Sequence, residues 1–169
     1  MRCVRVGWLH DEVTDRYDHP SLDIERMIEA LDRHGVRYVL VGGVAGQLYG
    51  ATRPTYDLDV VAQRERSNLD RAAAALRELG AFLRVGGLSD AEARELPFIL
   101  DGTSLESMEV STWRTDAGDI DILANLRNTA GERLGFNELD NAAREVSVGR
   151  TVVWLAGLAH IIEAKRFAD

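Results

Sequence analysis

Apolar residues recur along this chain with two different periods, which predicts an alternation of helices and strands. Over residues 24–31 they lie three and four positions apart, as on one helix face, with Ser21 as the predicted N-cap. The apolar run 38–41 has strand length, and 56–61 alternates apolar and polar positions. Further helices are predicted at 44–49, 68–79, 90–95, 137–144 and 158–167, and further strands at 81–84, 108–113 and 120–123 and in a hairpin at 146–153.

The mixture of elements predicts the α+β (α/β) class, with a mixed sheet flanked by helices. Residues 1–20 follow no clear period and are predicted to be an irregular N-terminal arm that ends at Pro20. Residues 21–169 are predicted to form one domain, since the chain is long enough for a single core.

The apolar stretches are too short for a membrane span, and the charged N-terminus does not have the form of a secretory signal. The single cysteine, Cys3, cannot form an internal disulfide. These features favour a cytoplasmic protein without a membrane partner.

The net charge of −8 argues against a protein that coats nucleic acid along a broad basic face, although it leaves room for a local basic patch. The basic residues are almost all arginines, and Lys165 is the only lysine. It lies at helical spacing from Leu158, Ile161 and Ile162, which predicts that it shares the helix face that these apolar residues bury. Its ammonium therefore either extends to solvent from an apolar stripe or meets an anion such as a triphosphate.

Two adjacent glycines, Gly42 and Gly43, end the predicted strand 38–41 and lead into a helix. Glycine lets the backbone approach a ligand closely, and free amides at a helix start suit a phosphate. A plain tight turn is the alternative interpretation of this pair.

Asp57 and Asp59 lie two positions apart on the next predicted strand and so share one face of it. Like charges side by side repel, and a divalent cation removes that cost. Mg²⁺ (or Mn²⁺) is held by carboxylates, water and substrate phosphates. A strand edge that faces water is the alternative interpretation.

A second pair of aspartates, Asp119 and Asp121, lies on a later strand between apolar residues. A two-metal site needs a third carboxylate, and Asp121, flanked by isoleucines, is the preferred candidate with Asp119 in reserve.

Arg53 and Thr55 lie between the glycines and the first aspartate pair, where they could provide a phosphate-binding fork and a hydroxyl, respectively.

Residues 41–61 resemble the nucleotidyltransferase superfamily, which has the DNA polymerase β-like fold. The run Gly50-x-x-Arg53-x-Thr55-x-Asp57-Leu58-Asp59 looks most like the AbiEii and MenT-like toxin nucleotidyltransferases, which also carry a lysine on a late helix, as at Lys165. Such proteins usually continue past that helix, whereas this sequence stops at Asp169.

The resemblance implies a Mg²⁺-dependent enzyme that transfers a nucleotide from a nucleoside triphosphate to an acceptor. It implies catalytic roles for Asp57, Asp59, Asp121 and Lys165, the three aspartates as metal ligands and the lysine as a counter-charge to the triphosphate. It also implies nucleotide binding by Gly42, Gly43, Arg53 and Thr55, a tRNA acceptor and a cognate antitoxin. Transfer to a small molecule such as an antibiotic, transfer to a protein (AMPylation), and a non-catalytic triphosphate-binding module of the same fold are the alternatives.

Overall fold

The computed structural model describes residues 21–168, in which a mixed seven-stranded sheet is covered by helices. This confirms the predicted fold class. The proposed N-terminal arm, residues 1–20, lies outside the described residues. Within them, no helix is both long enough and apolar enough to cross a membrane.

Helices and strands are intermixed along the chain and most of them are short. The strands are β1 (Tyr38–Val41), β2 (Asp57–Ala62), β3 (Phe82–Leu83), β4 (Val110–Thr115), β5 (Gly118–Leu123), β6 (Asn125–Arg127), β7 (Arg133–Gly135), β8 (Arg144–Val148) and β9 (Thr151–Leu155). The helices are α1 (Ile24–Arg33), α2 (Gly42–Leu48), α3 (Arg66–Glu78), α4 (Asp90–Arg94), α5 (Gly102–Ser107), α6 (Phe136–Asn141) and α7 (Leu158–Ala168).

The main sheet has the order β3-β4-β5-β2-β1-β9-β8, and β6 and β7 form a separate hairpin. Its centre is mixed, because β2 pairs antiparallel with β1 and parallel with β5. This topology puts the two aspartate-bearing strands side by side, although some 60 residues separate them in the sequence.

Strand β2 shows how the sheet divides into two faces. Leu58, Val60 and Ala62 are at most 1% exposed and belong to the hydrophobic core, together with the buried residues of α1 and α3. Asp57 and Asp59 alternate with them and are only half-buried. Burial of one face therefore fixes the register that displays both carboxylates on the other.

Several element boundaries differ from the prediction. Asp23, not Ser21, caps α1, because its side chain accepts a hydrogen bond of 3.1 Å from the Arg26 amide. Helix α2 begins at Gly42, helix α6 ends before Arg144 joins a strand, and α5 and the β6–β7 hairpin were not predicted. These short elements lack the repeated apolar spacing on which the sequence argument depended.

Candidate active site

A row of residues in register crosses the sheet at the end of β1. Val41 pairs with Asp59, and Asp59 pairs with Asp121. Asp57 lies one pleat away from Asp59 on the same face of β2. One carboxylate oxygen from each of the three aspartates lies within 4.8 Å of the others. The structure thus brings together the three side chains that were predicted as metal ligands.

The two glycines lie against this cluster. Gly42 has a φ of +66°, and a Cβ atom there would collide with the Asp59 carboxylate. A Cβ atom on Gly43 would collide with the Thr55 hydroxyl. The Gly43 amide is directed at the cluster and donates to Oδ2 of Asp59 at 3.4 Å. Both positions need glycine because the backbone passes directly over the carboxylate strand.

Asp59 is the most strongly perturbed carboxylate of the cluster. Burial raises the pKa of Asp59 to about 7, with further increases from the charges of Asp57 and Asp121, while the Gly43 amide opposes them. Burial also raises the pKa of Asp121, and a hydrogen bond from the Thr112 side chain lowers it. The site therefore holds more negative charge than its own surroundings stabilise.

No arginine or lysine of residues 21–168 forms a salt bridge with Asp57, Asp59 or Asp121. Oδ1 of Asp121 is buried and has no hydrogen-bond partner among these described residues. Oxygen-only ligands, mutual repulsion and an unsatisfied buried oxygen together fit a hard divalent cation such as Mg²⁺ or Mn²⁺.

Asp119, the reserve candidate, has a different environment. Its side chain is 3% exposed and is paired with both Arg84, at 2.8 Å, and Arg114, at 2.9 Å. Arg114 makes a second contact with it, from Nη2 to Oδ2 at 3.2 Å. With its charge matched in this way, Asp119 is a structural ion-pair partner, and Asp121 is the aspartate of β5 that joins the cluster.

Of the two residues predicted between the glycines and Asp57, only Thr55 contacts the cluster. Its hydroxyl donates to Oδ1 of Asp57 at 3.0 Å. Arg53 is exposed, and its backbone carbonyl accepts a hydrogen bond from Gln47. Its guanidinium forms no salt bridge with another described residue.

The predicted burial of the stripe on the last helix is wrong. Leu158 and Ile162 are 46% and 41% exposed, and only Ile161 is buried. Helix α7 packs through Ile161 and the half-buried Ala164, a face rotated from the predicted stripe by roughly a quarter of a turn. Lys165 is exposed and pairs with none of the three cluster aspartates, so its role in the site remains a prediction.

Arg84 and Thr112 were missed as neighbours of the site. In the sequence they lie in segments with only weak strand patterns, and it is their alignment beside Asp121 that brings them to the carboxylate face.

A pocket of about 310 Å³ lies elsewhere, between the end of α1, β9 and α6, and no predicted site residue lines it.

Comparison with known proteins supports the fold. No protein-family model matches the sequence, and no curated protein is significantly similar to it. The structure is similar to that of a "putative nucleotidyltransferase" (TM1012) from Thermotoga maritima, with a TM-score of 0.54. The two chains are 15% identical, and the match covers 85% of this chain and 80% of the other. The chain therefore has a nucleotidyltransferase-like fold.

Proposed function

We propose that this protein is a metal-dependent nucleotidyltransferase that transfers a nucleotide from a nucleoside triphosphate to an acceptor hydroxyl. The observation that supports this most is the cluster of Asp57, Asp59 and Asp121, which forms no salt bridge with an arginine or lysine of residues 21–168. The cluster also lies beside the glycine turn, and the chain has a nucleotidyltransferase-like fold. Both features support nucleotidyl transfer as the reaction at this site.

Asp57, Asp59 and Asp121 are the residues that would hold Mg²⁺ (or Mn²⁺). Bound there, the cation would polarise the α-phosphate and stabilise the charge that develops on the leaving pyrophosphate. The residues around it have separate tasks. Thr55 orients the Asp57 carboxylate through its 3.0 Å hydrogen bond, and the Gly43 amide does the same for Asp59.

The reaction is an in-line displacement at the α-phosphorus. The acceptor oxygen forms a bond to phosphorus, the bond to the β-phosphate oxygen breaks, and pyrophosphate leaves with the electron pair. We assign Asp121, whose Oδ1 accepts no hydrogen bond from residues 21–168, as the base that takes the proton of the hydroxyl. Gly42 and Gly43 leave room for the triphosphate, and Arg53 and Lys165 are its proposed counter-charges.

The acceptor and the biological role are finer proposals. The resemblance of residues 41–61 to toxin nucleotidyltransferases supports a tRNA acceptor and regulation by a cognate antitoxin. The net charge of −8 favours instead a small-molecule or protein acceptor. If the protein binds the triphosphate without turning it over, it is a binding module of the same fold.

Incubation with each α-labelled nucleoside triphosphate, Mg²⁺ and total cell RNA tests the proposal. We expect metal-dependent labelling, abolished in Asp59→Asn and retained in Arg150→Gln, a charge change in the exposed β8–β9 turn. Mg²⁺ and triphosphate together should raise the melting temperature more than either alone. A flat melting temperature at saturating ligand, with no labelling, would contradict the proposal.

A further inference from the structure

The row of paired residues that contains the metal cluster continues across the sheet to an arginine. Asp121 pairs with Thr112 on β4, and the Arg84 amide donates to the Thr112 carbonyl at 2.9 Å just after β3. In sheet order the row is therefore Val41, Asp59, Asp121, Thr112, Arg84. The glycine turn lies at one end of it and Arg84 at the other, about two strand spacings, or ~10 Å, beyond Asp121.

If the proposed function is correct, this order of residues places the leaving pyrophosphate and the acceptor on opposite sides of the carboxylates. The triphosphate lies toward the glycine turn, so pyrophosphate departs on the β1 side of the carboxylates. In-line displacement places the attacking and leaving oxygens on opposite sides of the phosphorus. The acceptor hydroxyl must then approach from the side of β5, β4 and β3, where Arg84 lies.

The guanidinium of Arg84 has unused capacity to bind an anion. Only one of its N–H groups makes a hydrogen bond within residues 21–168, from Nη1 to Oδ2 of Asp119 at 2.8 Å. Its side chain is 38% exposed, whereas that of Arg114 is 13% exposed. Asp119 does not depend on Arg84 alone, because Arg114 already contacts both of its oxygens. Asp119 therefore anchors Arg84 while leaving most of its guanidinium N–H donors without a partner among residues 21–168.

A second cation lies on the same wall of the site. The guanidinium of Arg94 stacks over the Phe82 ring at 4.1 Å from its centroid, and Phe82 pairs with Arg114 on the carboxylate face. Arg94 is exposed and forms no salt bridge with another described residue. The acceptor side of the cluster thus carries three arginines, Arg84, Arg94 and Arg114, against the two aspartates, Asp90 and Asp119, that pair with Arg84 and Arg114.

We propose that Arg84 is an acceptor-binding residue that holds an anionic group next to the attacking hydroxyl, namely the last phosphodiester of a nucleic-acid strand. A planar guanidinium with free donors matches the paired oxygens of a phosphodiester. Because Asp119 holds its guanidinium on the β3 side of the cluster, Arg84 contacts the acceptor and not the triphosphate.

Binding of a fluorescent RNA octamer, measured by anisotropy with Mg²⁺ and a non-hydrolysable α,β-methylene triphosphate, tests this role. Arg84→Gln should weaken RNA binding about tenfold, as expected for loss of a charge-assisted hydrogen bond. It should also reduce the slope of log affinity against log salt by about 0.7, the value for one phosphate contact with a single strand. The matched control Arg150→Gln should change neither quantity.

A second octamer, with an uncharged methylphosphonate as its last linkage, identifies the group that Arg84 contacts. This change should weaken binding by the wild type but not weaken it further in Arg84→Gln. Arg84→Lys should keep the salt slope and recover part of the affinity. The increase in melting temperature with Mg²⁺ and the analogue should be the same for the wild type, Arg84→Gln and Arg84→Lys, which also shows that the variants fold.

Two results would overturn the role of Arg84 while leaving the proposed function intact. One is wild-type protein that binds the analogue but not the octamer. The other is an Arg84→Gln variant whose affinity for each of the two octamers equals that of the wild type. Wild-type protein that fails to bind the analogue would overturn the proposed function and this inference together.

Discussion

Two aspartates on one face of β5 have opposite surroundings. Asp119 is almost fully buried and contacts two guanidinium groups, Arg84 and Arg114. Asp121, two residues later, is half-buried, has an oxygen without a partner and faces Asp57 and Asp59 instead of a cation. The two arginines match the charge of Asp119 within the protein, whereas the three clustered aspartates form no salt bridge with a cation of residues 21–168 and could hold a divalent metal ion.

The comparison shows that position on the sheet face does not by itself distinguish a structural carboxylate from a metal ligand. Both aspartates have the same spacing pattern and the same flanking isoleucine, Ile120. Burial of a charge is tolerated where partners offset it and is costly where like charges meet. The raised pKa of Asp59, about 7, is the measurable sign of that cost.

Removal of a cluster carboxylate should have the largest effect on activity. We expect Asp59→Asn and Asp121→Asn each to lower nucleotide transfer at least about 1,000-fold, the upper end of the range for loss of one electrostatic group in an active site. Both variants should remain folded, since each relieves repulsion. Transfer of labelled nucleotide and thermal melting, measured on the same samples, check this. Near-normal turnover in either variant would exclude that residue as a metal ligand.

Asp119→Asn should have the opposite profile and mainly reduce stability. It removes the main partner of Arg114, whose side chain is 13% exposed and which keeps its salt bridge with Asp90. Loss of one member of a buried pair costs about 3–5 kcal/mol when the other charge is left uncompensated, so we expect the free energy of unfolding to fall by less than that, by about 2 kcal/mol. Urea unfolding of wild type and variant measures it. A variant as stable as the wild type would mean that Asp119 is not the structural member of the pair.

The stability of the metal-free protein should depend on pH through Asp59. Because burial raises the folded-state pKa of Asp59 from 3.8 to about 7, the stabilisation from its protonated form is complete below about pH 4 and is lost as pH rises to 7. Between pH 5 and 8 the loss should be about 2–3 kcal/mol. Melting curves across this range, with EDTA, should show it.

Asp59→Asn provides the control for that pH dependence, since it removes the titrating group while keeping a similar shape. Its melting temperature should change less between pH 5 and 8 than that of the wild type. Added Mg²⁺ should stabilise the wild type more at pH 8 than at pH 5, because protons compete with the metal for the carboxylates. An identical Mg²⁺ effect at both values would argue against a metal at Asp59.

The smallest expected effect is at Lys165, which is exposed in the structure. If it offsets triphosphate charge, Lys165→Ala should reduce transfer about tenfold, mainly by raising the KM for the triphosphate, the size expected for one charged hydrogen bond. Lys165→Arg should recover part of it. Arg166→Ala, the next exposed cation on α7, is the matched control. Equal kinetics for Lys165→Ala and Arg166→Ala would exclude a role for the lysine.

Much of the central sheet could be predicted from the sequence because apolar periodicity and glycines mark its elements. The shared face of Asp57 and Asp59 follows from strand geometry alone. The pairing of β2 with β5, and thus the meeting of Asp59 with Asp121, depends on a long-range register that no local pattern records. The ion pairs of Asp119 could not be predicted for the same reason, since Arg84 follows β3, a two-residue strand with only a weak sequence pattern.

In the last helix, α7, the sequence does not identify which face is buried. Its apolar residues span more than half of the helix circumference, so periodicity left several candidate buried faces. Packing selected the face of Ile161 and left Leu158 and Ile162 exposed. A wide apolar stripe identifies a helix without identifying which side of it meets the protein.

Anomalous diffraction from crystals soaked in Mn²⁺ with the non-hydrolysable triphosphate tests the metal cluster most directly. We predict a peak between Asp57, Asp59 and Asp121, within ligand distance of the unpartnered Oδ1 of Asp121, and no peak at Asp119. A well-ordered triphosphate with no Mn²⁺ at the three carboxylates, or a metal bound at Asp119 instead, would contradict the account.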